Sequence, residues 1–541
     1  MKKLYILTLL LLCFHFGFAQ PLHDTVGKLI PQQSNVITGE TIIKVENLGE
    51  RINTEYPEMR PTISADGNLL FFIRQGHPAN VQIQTVPHAQ DIWYSTRDTA
   101  GNWSSAKHLN GSVNASHFNA VYWISPDLNT ILLKGAFTEG QYLGTGVSMI
   151  RRLEDNSWSP AQMLRIRNFH KFGYTQQLGA SMGQDGKTML FYMTDKKESF
   201  DNDLYVSFLE GGDIWTAPKS LGKKINLPDY NEMSPFIAAD GHTLYFSSDR
   251  PGGLGENDIW MTKRLDDSWQ KWSEPVNLGA PINTTGSEAF FTLDAGGEYA
   301  YLTSSEGAYG ASDIVRIKLL EREKPDPVVL VTGNVYNAKT KAPLSASLIY
   351  ETLPDGTQVG TGTSSYTDGA FKMVLPYDKN YSIRASADKF FAISENLNLD
   401  SLVKAGYKEI HKDLYLVPIE IGQVFRLNNV FFDFDKYFLR PESFTELNRV
   451  VEFLNEYPNI EIEMSAHTDS KGADNYNLTL SDNRAKSVMD YILSKGIAVT
   501  RIVSKGYGET KPVAANEGSD GTDNPEGRQL NRRVEFTIMK N

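Results

Sequence analysis

The chain has 541 residues, too many for one ordinary core, so two to four domains are expected. Its 53 Lys and Arg against 65 Asp and Glu give a net charge of −12, which argues against a general nucleic-acid binder with a basic face. Hydrophobic residues at 40% and charged ones at 22% describe a globular chain, and 43 Gly with 25 Tyr and 27 Phe tilt it toward turn-rich β structure.

Residues 1–19 stand apart. Lys2 and Lys3, the apolar run Leu4 to Leu12 and the small-residue ending Gly17-Phe18-Ala19 read as a secretory signal peptide, too short to span a bilayer. Its removal leaves a net charge of −14 and takes away Cys13, the only cysteine. The mature protein is then expected to hold no disulfide, thiol nucleophile or cysteine metal site. Lipidation at Cys13 is disfavoured, because Leu10, Leu11 and Leu12 precede it where a small residue is wanted. No later run is apolar and long enough for a transmembrane helix.

Between residues 41 and 320 an Asp-centred turn recurs. Its aspartates are Asp66, Asp127, Asp185, Asp240 and Asp294, spaced by 61, 58, 55 and 54 residues. Each precedes an apolar strand-like run such as Leu69-Leu70-Phe71-Phe72 or Leu244-Tyr245-Phe246. A second strand signal follows at Asp91, Asp203, Asp258 and Asp313, and a third around Trp103, Trp158, Trp215 and Trp272. Units of about four strands cannot each bury a core alone; arranged radially they can, which predicts a β-propeller. Five blades are expected, or six if a degenerate unit is present. Val45-Glu46-Asn47-Leu48-Gly49 repeats Val276-Asn277-Leu278-Gly279, so the N-terminal copy is expected to supply the last unit's missing outer strand. The repeat resembles the WD-repeat-like propeller units of TolB-type envelope proteins, most closely at Phe246-Ser247-Ser248-Asp249-Arg250-Pro251-Gly252-Gly253.

Gly179-Ala180-Ser181-Met182-Gly183 fits the literal G-x-S-x-G pattern, but a turn and a strand follow it instead of the helix a nucleophile elbow needs. The paired acids Asp201 and Asp203, and Asp433 and Asp435, lack the spacing of a calcium loop and read as turn or strand-end residues.

Residues 321–327, charged and bearing Pro325 and Pro327, read as a linker. From 328 to 417 short strands alternate with turns, which suggests a small β-sandwich. Its opening at Gly333-Asn334-Val335-Tyr336 and the segment Thr367-Asp368-Gly369-Ala370-Phe371 resemble the carboxypeptidase regulatory-like domain. The resemblance implies a spacer and connector, without peptidase activity.

From 425 to 540 strands and helices alternate, as in an α/β sandwich. Val430 to Asp435 is expected as a strand, followed by a helix with Phe444, Leu447, Val450, Val451 and Leu454 on one face. Ile460 to Ala466 reads as a second strand ending in His467-Thr468-Asp469. Ser481 is expected to cap a helix that Gly496 closes. Two more strands are expected around Arg501 to Ser504 and Arg533 to Met539.

The runs Val430-Phe431-Phe432-Asp433-Phe434-Asp435, Ala466-His467-Thr468-Asp469-Ser470-Lys471-Gly472 and Asn477-Leu478-Thr479-Leu480-Ser481 resemble the OmpA C-terminal peptidoglycan-binding domain. So does the close, Gly527-Arg528-Gln529-Leu530-Asn531-Arg532-Arg533. The resemblance implies binding of peptidoglycan at the diaminopimelate of its stem peptide. Asp469 falls at the family's ammonium-binding aspartate and Arg484 at its carboxylate-binding arginine, with Asn477 and Thr468 as supporting groups. With Ser481 as cap, Arg484 would sit in the first helical turn, where free N–H groups favour an anion. Its guanidinium fork can hold a carboxylate bidentately. His467 is expected to be structural, and Ala466 stands where the family usually has glycine.

The whole then reads as a non-enzymatic protein of the periplasm and outer membrane of a Gram-negative bacterium, with no cofactor or metal. Its layout is similar to Bacteroidetes envelope proteins of the PorE type, which implies a role beside type IX secretion. That analogy also suggests an outer-membrane barrel of the PorP/SprF type as partner. The alternatives are a propeller that binds glycan or peptide, or a hydrolase tethered to the wall.

Overall fold

A computed structural model of the protein describes residues 35–38, 41–81, 89–172, 178–196, 201–377, 379–400, 406–519 and 521–540. The signal-peptide and Cys13 readings fall outside these residues.

Five sheets, antiparallel except where Arg165–Ile166 pairs parallel with Ile214–Trp215 in the third, follow one another through the first part of the chain. The first runs Glu58–Ile63, Leu69–Gln75, Gln90–Thr96 and Lys107–His108. The second runs Val121–Ile124, Thr130–Thr138, Gln141–Arg151 and Gln162–Met163. The third is built on Gly179–Met182, Thr188–Met193 and Asp203–Gly211. The fourth runs Glu232–Ile237, Thr243–Ser248, Asp258–Lys263 and Val276–Asn277. In the fifth, Thr292–Leu293, Tyr299–Ser304 and Asp313–Lys318 are continued by Thr41–Asn47 from the other end of the chain. There Val45, Glu46 and Asn47 pair with Ile317, Arg316 and Val315.

Why these residues make this pattern is visible at the turns. Each recurring aspartate folds its carboxylate back onto a backbone N–H just ahead: Asp66 accepts from Asn68, Asp127 from Asn129, and Asp185 from Lys187. Asp240 accepts from His242 and Asp294 from Gly297. The side chain thus imitates a turn's backbone carbonyl and sets up the strand that follows. Those strands are central in their sheets and buried on both faces, which is why Leu190, Phe191, Leu244, Tyr245 and Phe246 read as unbroken apolar runs. Gly179-Ala180-Ser181-Met182 is a fully buried strand, with no helix after it.

Residues Val328–Asn337 to Leu414–Pro418 form two facing sheets. Ala370–Pro376 pairs Val328–Asn337 in one, while Ser347–Leu353 lies between Gln358–Thr363 and Asn380–Ser386 in the other. Val331, Leu348, Tyr350, Phe371 and Ile383 fill the space between them. This unit is seated on the aspartate turns. Lys372 pairs with Asp66, Thr363 N donates to Asp127 Oδ2 at 2.7 Å, and Lys187 Nζ donates to the Gln358 carbonyl at 3.0 Å. Residues 321–327, expected as a free linker, are docked as well. Tyr245 Oη donates to the Glu323 carbonyl at 2.7 Å, and Asp326 N donates to Asp240 Oδ2 at 2.9 Å. Their charged side chains find partners on the preceding sheets, which composition alone does not reveal.

The last domain is a four-stranded sheet ordered Val424–Leu427, Val534–Lys540, Glu461–Ala466, Ile502–Gly506. It packs against helices α1 (Phe444–Glu456) and α2 (Asp474–Ser494), and a short α3 spans Pro525–Asn531. Leu447, Val450, Val451 and Leu454 of α1 are buried, as their spacing requires, whereas Phe444 stacks on Tyr491 near the surface with ring centroids 4.9 Å apart. Val430 to Asp435 is not a strand. Only Phe432 makes an isolated bridge, to Leu439, and Phe434 is 97% exposed. The middle and last domains share a core, since Phe391 meets Phe425, Phe453 and Phe536 at centroid distances of 4.9, 5.0 and 4.9 Å.

Candidate functional site

The site lies where Glu461–Ala466 ends and the chain turns into α2. Parallel strands Glu461–Ala466 and Ile502–Gly506 both finish here, an edge at which α/β sheets commonly place ligands. Gly506 is required by close approach: a Cβ there would fall 2.2 Å from Asp482 N. Ala466 is wholly buried in the ladder, paired with Gly506 and Val534, so its methyl is accommodated.

The helix start differs from expectation. α2 begins at Asp474, after Ala473, seven residues before Ser481. Ser481 is buried inside the helix; its Oγ donates to the Leu478 carbonyl at 2.8 Å and accepts from Gly508 N at 2.8 Å, tying α2 to the neighbouring loop. Arg484 is therefore in the third turn, beyond reach of the free N–H groups at the helix start, and the dipole argument for it fails.

Asp469 is buried, and its cations are residues for which the sequence suggested no role. Oδ2 faces Arg528 Nη1 at 3.3 Å and, more closely, Arg532 Nη1, while Oδ1 accepts from Lys471 N at 3.1 Å. Burial alone would raise its pKa, but the Lys471 N–H and the Arg532 and Arg528 guanidiniums outweigh it and hold the carboxyl below the usual range. These partners lie 59 and 63 residues away in sequence, on and just after α3. The only clue to them was the run of arginines in the closing motif.

Arg484 is half-buried. Its Nε donates to the Lys436 carbonyl at 2.9 Å and its guanidinium lies 5.0 Å above the Phe432 ring. Burial lowers its pKa, Asp435 and Asp469 act against that, and Arg532 adds repulsion, so Arg484 shares one electrostatic neighbourhood with Asp469 without pairing with it. Asn477 is buried in the first turn of α2, donating to Glu509 Oε2 at 2.7 Å and to the Asp469 carbonyl at 3.3 Å. Thr468 is buried, its N–H bound to the Gly508 carbonyl, and its Oγ1 has no partner among the described residues. His467 stacks on Tyr507, with Nε2 3.2 Å from Glu535 Oε2, an ion pair inside the sheet when protonated. The site thus holds Asp469 against Arg528 and Arg532, with Asp523 on the far side of Arg528, Glu509 on Asn477, and Arg484 and a free hydroxyl in the same neighbourhood.

Among the described residues one group could hold a metal: Asp240, His242 and Asp326, with ligand atoms within 4.8 Å of one another. Asp326 Oδ1 already accepts from Lys263 Nζ at 2.6 Å, and Asp240 already takes Thr243 Oγ1 and three backbone N–H groups. Side chains supply the cation there, so the group reads as an ion-pair network between the fourth sheet and residues 321–327. Its members are 86 residues apart at the widest, beyond the reach of motif reading.

Residues 431–525 match the OmpA family, so the C-terminal domain is an OmpA-family domain. Outer membrane porin F of Pseudomonas fluorescens is 40% identical over 119 residues, 22% of this chain and 35% of the porin. The peptidoglycan-binding protein ArfA of Mycobacterium tuberculosis is 37% identical over 100 residues, 18% of this chain and 29% of ArfA. The chain therefore spans about a third of the length of these relatives. Among solved structures, the cell wall anchor of the Pseudomonas aeruginosa T6SS is 26% identical, with 22% of this chain and 80% of that one covered and a TM-score of 0.19. No helix among the described residues is long and apolar enough to cross a membrane.

Proposed function

We propose that this chain is a non-enzymatic cell-envelope protein that binds peptidoglycan through its C-terminal domain, gripping the diaminopimelate of the stem peptide. The observation that carries the reading is the OmpA-family domain with Thr468, Asp469, Asn477 and Arg484 gathered at the strand end beside α2. In it, the ligand carboxylate lies against Arg484, the ligand ammonium against Asp469, and Thr468 Oγ1 gains its missing partner. Relatives named as outer-membrane and peptidoglycan-binding proteins support a periplasmic place at the outer membrane and wall.

In this reading the five sheets are the blades of a propeller presented to protein partners. The pairing of Thr41–Asn47 with Asp313–Lys318 supports it. An outer-membrane barrel of the PorP/SprF type, and a role beside type IX secretion, remain part of the proposal by analogy alone. A tethered hydrolase is less well supported, since the described residues lining a cleft between the sheets include Ser181 but no His, Asp or Glu.

The test is a pull-down of the full chain with isolated sacculi. Diaminopimelate-containing sacculi should retain the protein and free diaminopimelate should release it. Equal retention by a lysine-type wall would overturn the proposed grip.

A further inference from the structure

The first strands of the five sheets converge on a small open cleft, with enclosed space of about 50 Å³, enough for one small polar group. Two residues past the buried carboxylates Glu58, Glu232 and Glu288, the backbone swings into the left-handed region, at Arg60 (φ 55°), Ser234 (φ 49°) and Phe290 (φ 61°). Non-glycine residues adopt this conformation at a cost, and such strain concentrates at functional sites. Here it lifts these residues out of the ladder, and all three line the cleft.

Arg60 is the cleft's cation, and its described partners are uncharged. Nη2 donates to Tyr192 Oη at 2.7 Å, and the guanidinium lies 4.2 Å from the Phe290 ring centre and 4.9 Å from that of Tyr122. None of the lining residues among those described is acidic. Lys134 is nearby, pulled down to about 8 by burial and by Arg60's repulsion. Four polar side-chain atoms lining the cleft have no partner among the described residues: the donors Trp123 Nε1, Ser181 Oγ and Ser234 Oγ, and Gln184 Oε1, whose amide can turn to present its NH₂ instead. Unsatisfied buried polar atoms are rare in native proteins, and three donors lining one cleft with a guanidinium that has no carboxylate partner among the described residues are complementary to an anion.

We infer that this cleft binds a carboxylate group, seated on the Arg60 guanidinium and hydrogen-bonded by Trp123, Ser181 and Ser234. The rings of Tyr122 and Phe290 hold the planar guanidinium in place for a planar carboxylate. The carboxylate can be the C-terminus of an extended peptide or the acid group of a uronic sugar. This inference is independent of the wall-binding site.

The experiment titrates the full chain calorimetrically with N-acetyl-trialanine as free acid and as C-terminal amide, and with glucuronate and glucose. The acid of one pair should bind at least tenfold more tightly than its neutral counterpart, and which pair responds identifies the source. Arg60→Asn removes the guanidinium while keeping a residue that tolerates the left-handed backbone. It should abolish that preference and leave sacculus retention unchanged, whereas Arg484→Lys should do the reverse. Ser234→Ala, a smaller perturbation, should weaken acid binding three- to tenfold and serves should Arg60→Asn misfold. Equal binding of acid and neutral forms, or wild-type affinity in either cleft variant, would overturn the inference.

Discussion

Asn53 holds both backbone groups of Ile314, 261 residues away: its Oδ1 accepts from Ile314 N at 2.8 Å and its Nδ2 donates to Ile314 O at 2.8 Å. The same clamp joins Asn283 to Ile259 and Asn226 to Leu204. In those two pairs the asparagine follows its strand in the chain; in Asn53 it comes from the other end. Asn53→Ala should leave the buried Ile314 N–H unpaired and its carbonyl with only the Leu48 N–H at 3.3 Å, a cost of about 1–3 kcal/mol. Calorimetry of the full chain should show the β-rich part melting several degrees earlier, by about as much as in Asn283→Ala. A loss no larger than that of the exposed substitution Lys107→Ala would mean that the N-terminal strand does not hold the fifth sheet.

Glu232 supplies a pH prediction. Burial, only partly offset by Arg250, pushes its carboxyl up to about 8, and its Oε2 has no partner among the described residues. A carboxyl whose folded pKa lies above its unfolded value of about 4.3 binds its proton more tightly in the folded state. Its contribution is full below the unfolded pKa and is lost as pH rises toward 8. The β-rich part should therefore lose stability between pH 5 and pH 8, and Glu232→Gln should flatten that slope in denaturant titrations at several pH values.

Asp469 has the opposite sign. Its folded pKa is depressed, so its contribution is present above the unfolded value of about 3.9 and disappears as pH falls through the folded one. Asp469→Asn should release Arg532 as well as weaken ligand binding, while Arg528 stays on Asp523, and Arg532→Gln separates the two effects. Because hydrogen bonds to charged groups contribute about 1.5–3 kcal/mol, Asp469→Asn and Arg484→Lys should each weaken stem-peptide binding roughly ten- to a hundredfold. Arg532→Gln should leave the carboxylate of Asp469 freer for an ammonium and bind at least as tightly. Titration of a stem peptide into the three variants, with circular dichroism as folding control, decides it.

Phe391 sets the boundary for any fragment. Its ring belongs to the core of the last domain, and the junction beside it is charged and buried, with Arg449 between Glu351 and Glu446. A fragment starting at 425 should melt well below one starting at 328. In the full chain Phe391→Ala should cost about 3–5 kcal/mol, the usual range for removing a buried phenylalanine. Equal melting of the two fragments would show that the shared core contributes nothing.

Much of this architecture could be read from residues alone, where one side chain acts on its near neighbours. Asp66, Asp127, Asp185, Asp240 and Asp294 shape turns within three residues, so their recurrence is visible. The asparagine clamps are not, because Asn53 and Ile314 meet only after the sheets assemble. At the site, Ser481 has the chemistry of a cap but is used inside a helix whose true first turn, Asp474-Asn475-Tyr476-Asn477, is polar and carries no apolar rhythm. Val430 to Asp435 has strand-like residues, yet Phe432 lies under Arg484 and Phe434 faces solvent. Arg528 and Arg532 reach Asp469 only through the fold of α3 and the strand after it.

The seating of the middle domain on the aspartate turns bears on how tension passes through the molecule. Asp66, Asp127, Lys187 and Asp240 belong to four different sheets, and each is fastened to the middle domain or to the segment leading into it. A pull applied at the C-terminal end is therefore shared as shear over four separate attachments. It does not fall on residues 321–327 alone. Four separate attachments resist twist as well as pull, so the β-rich part cannot swivel freely about the C-terminal end.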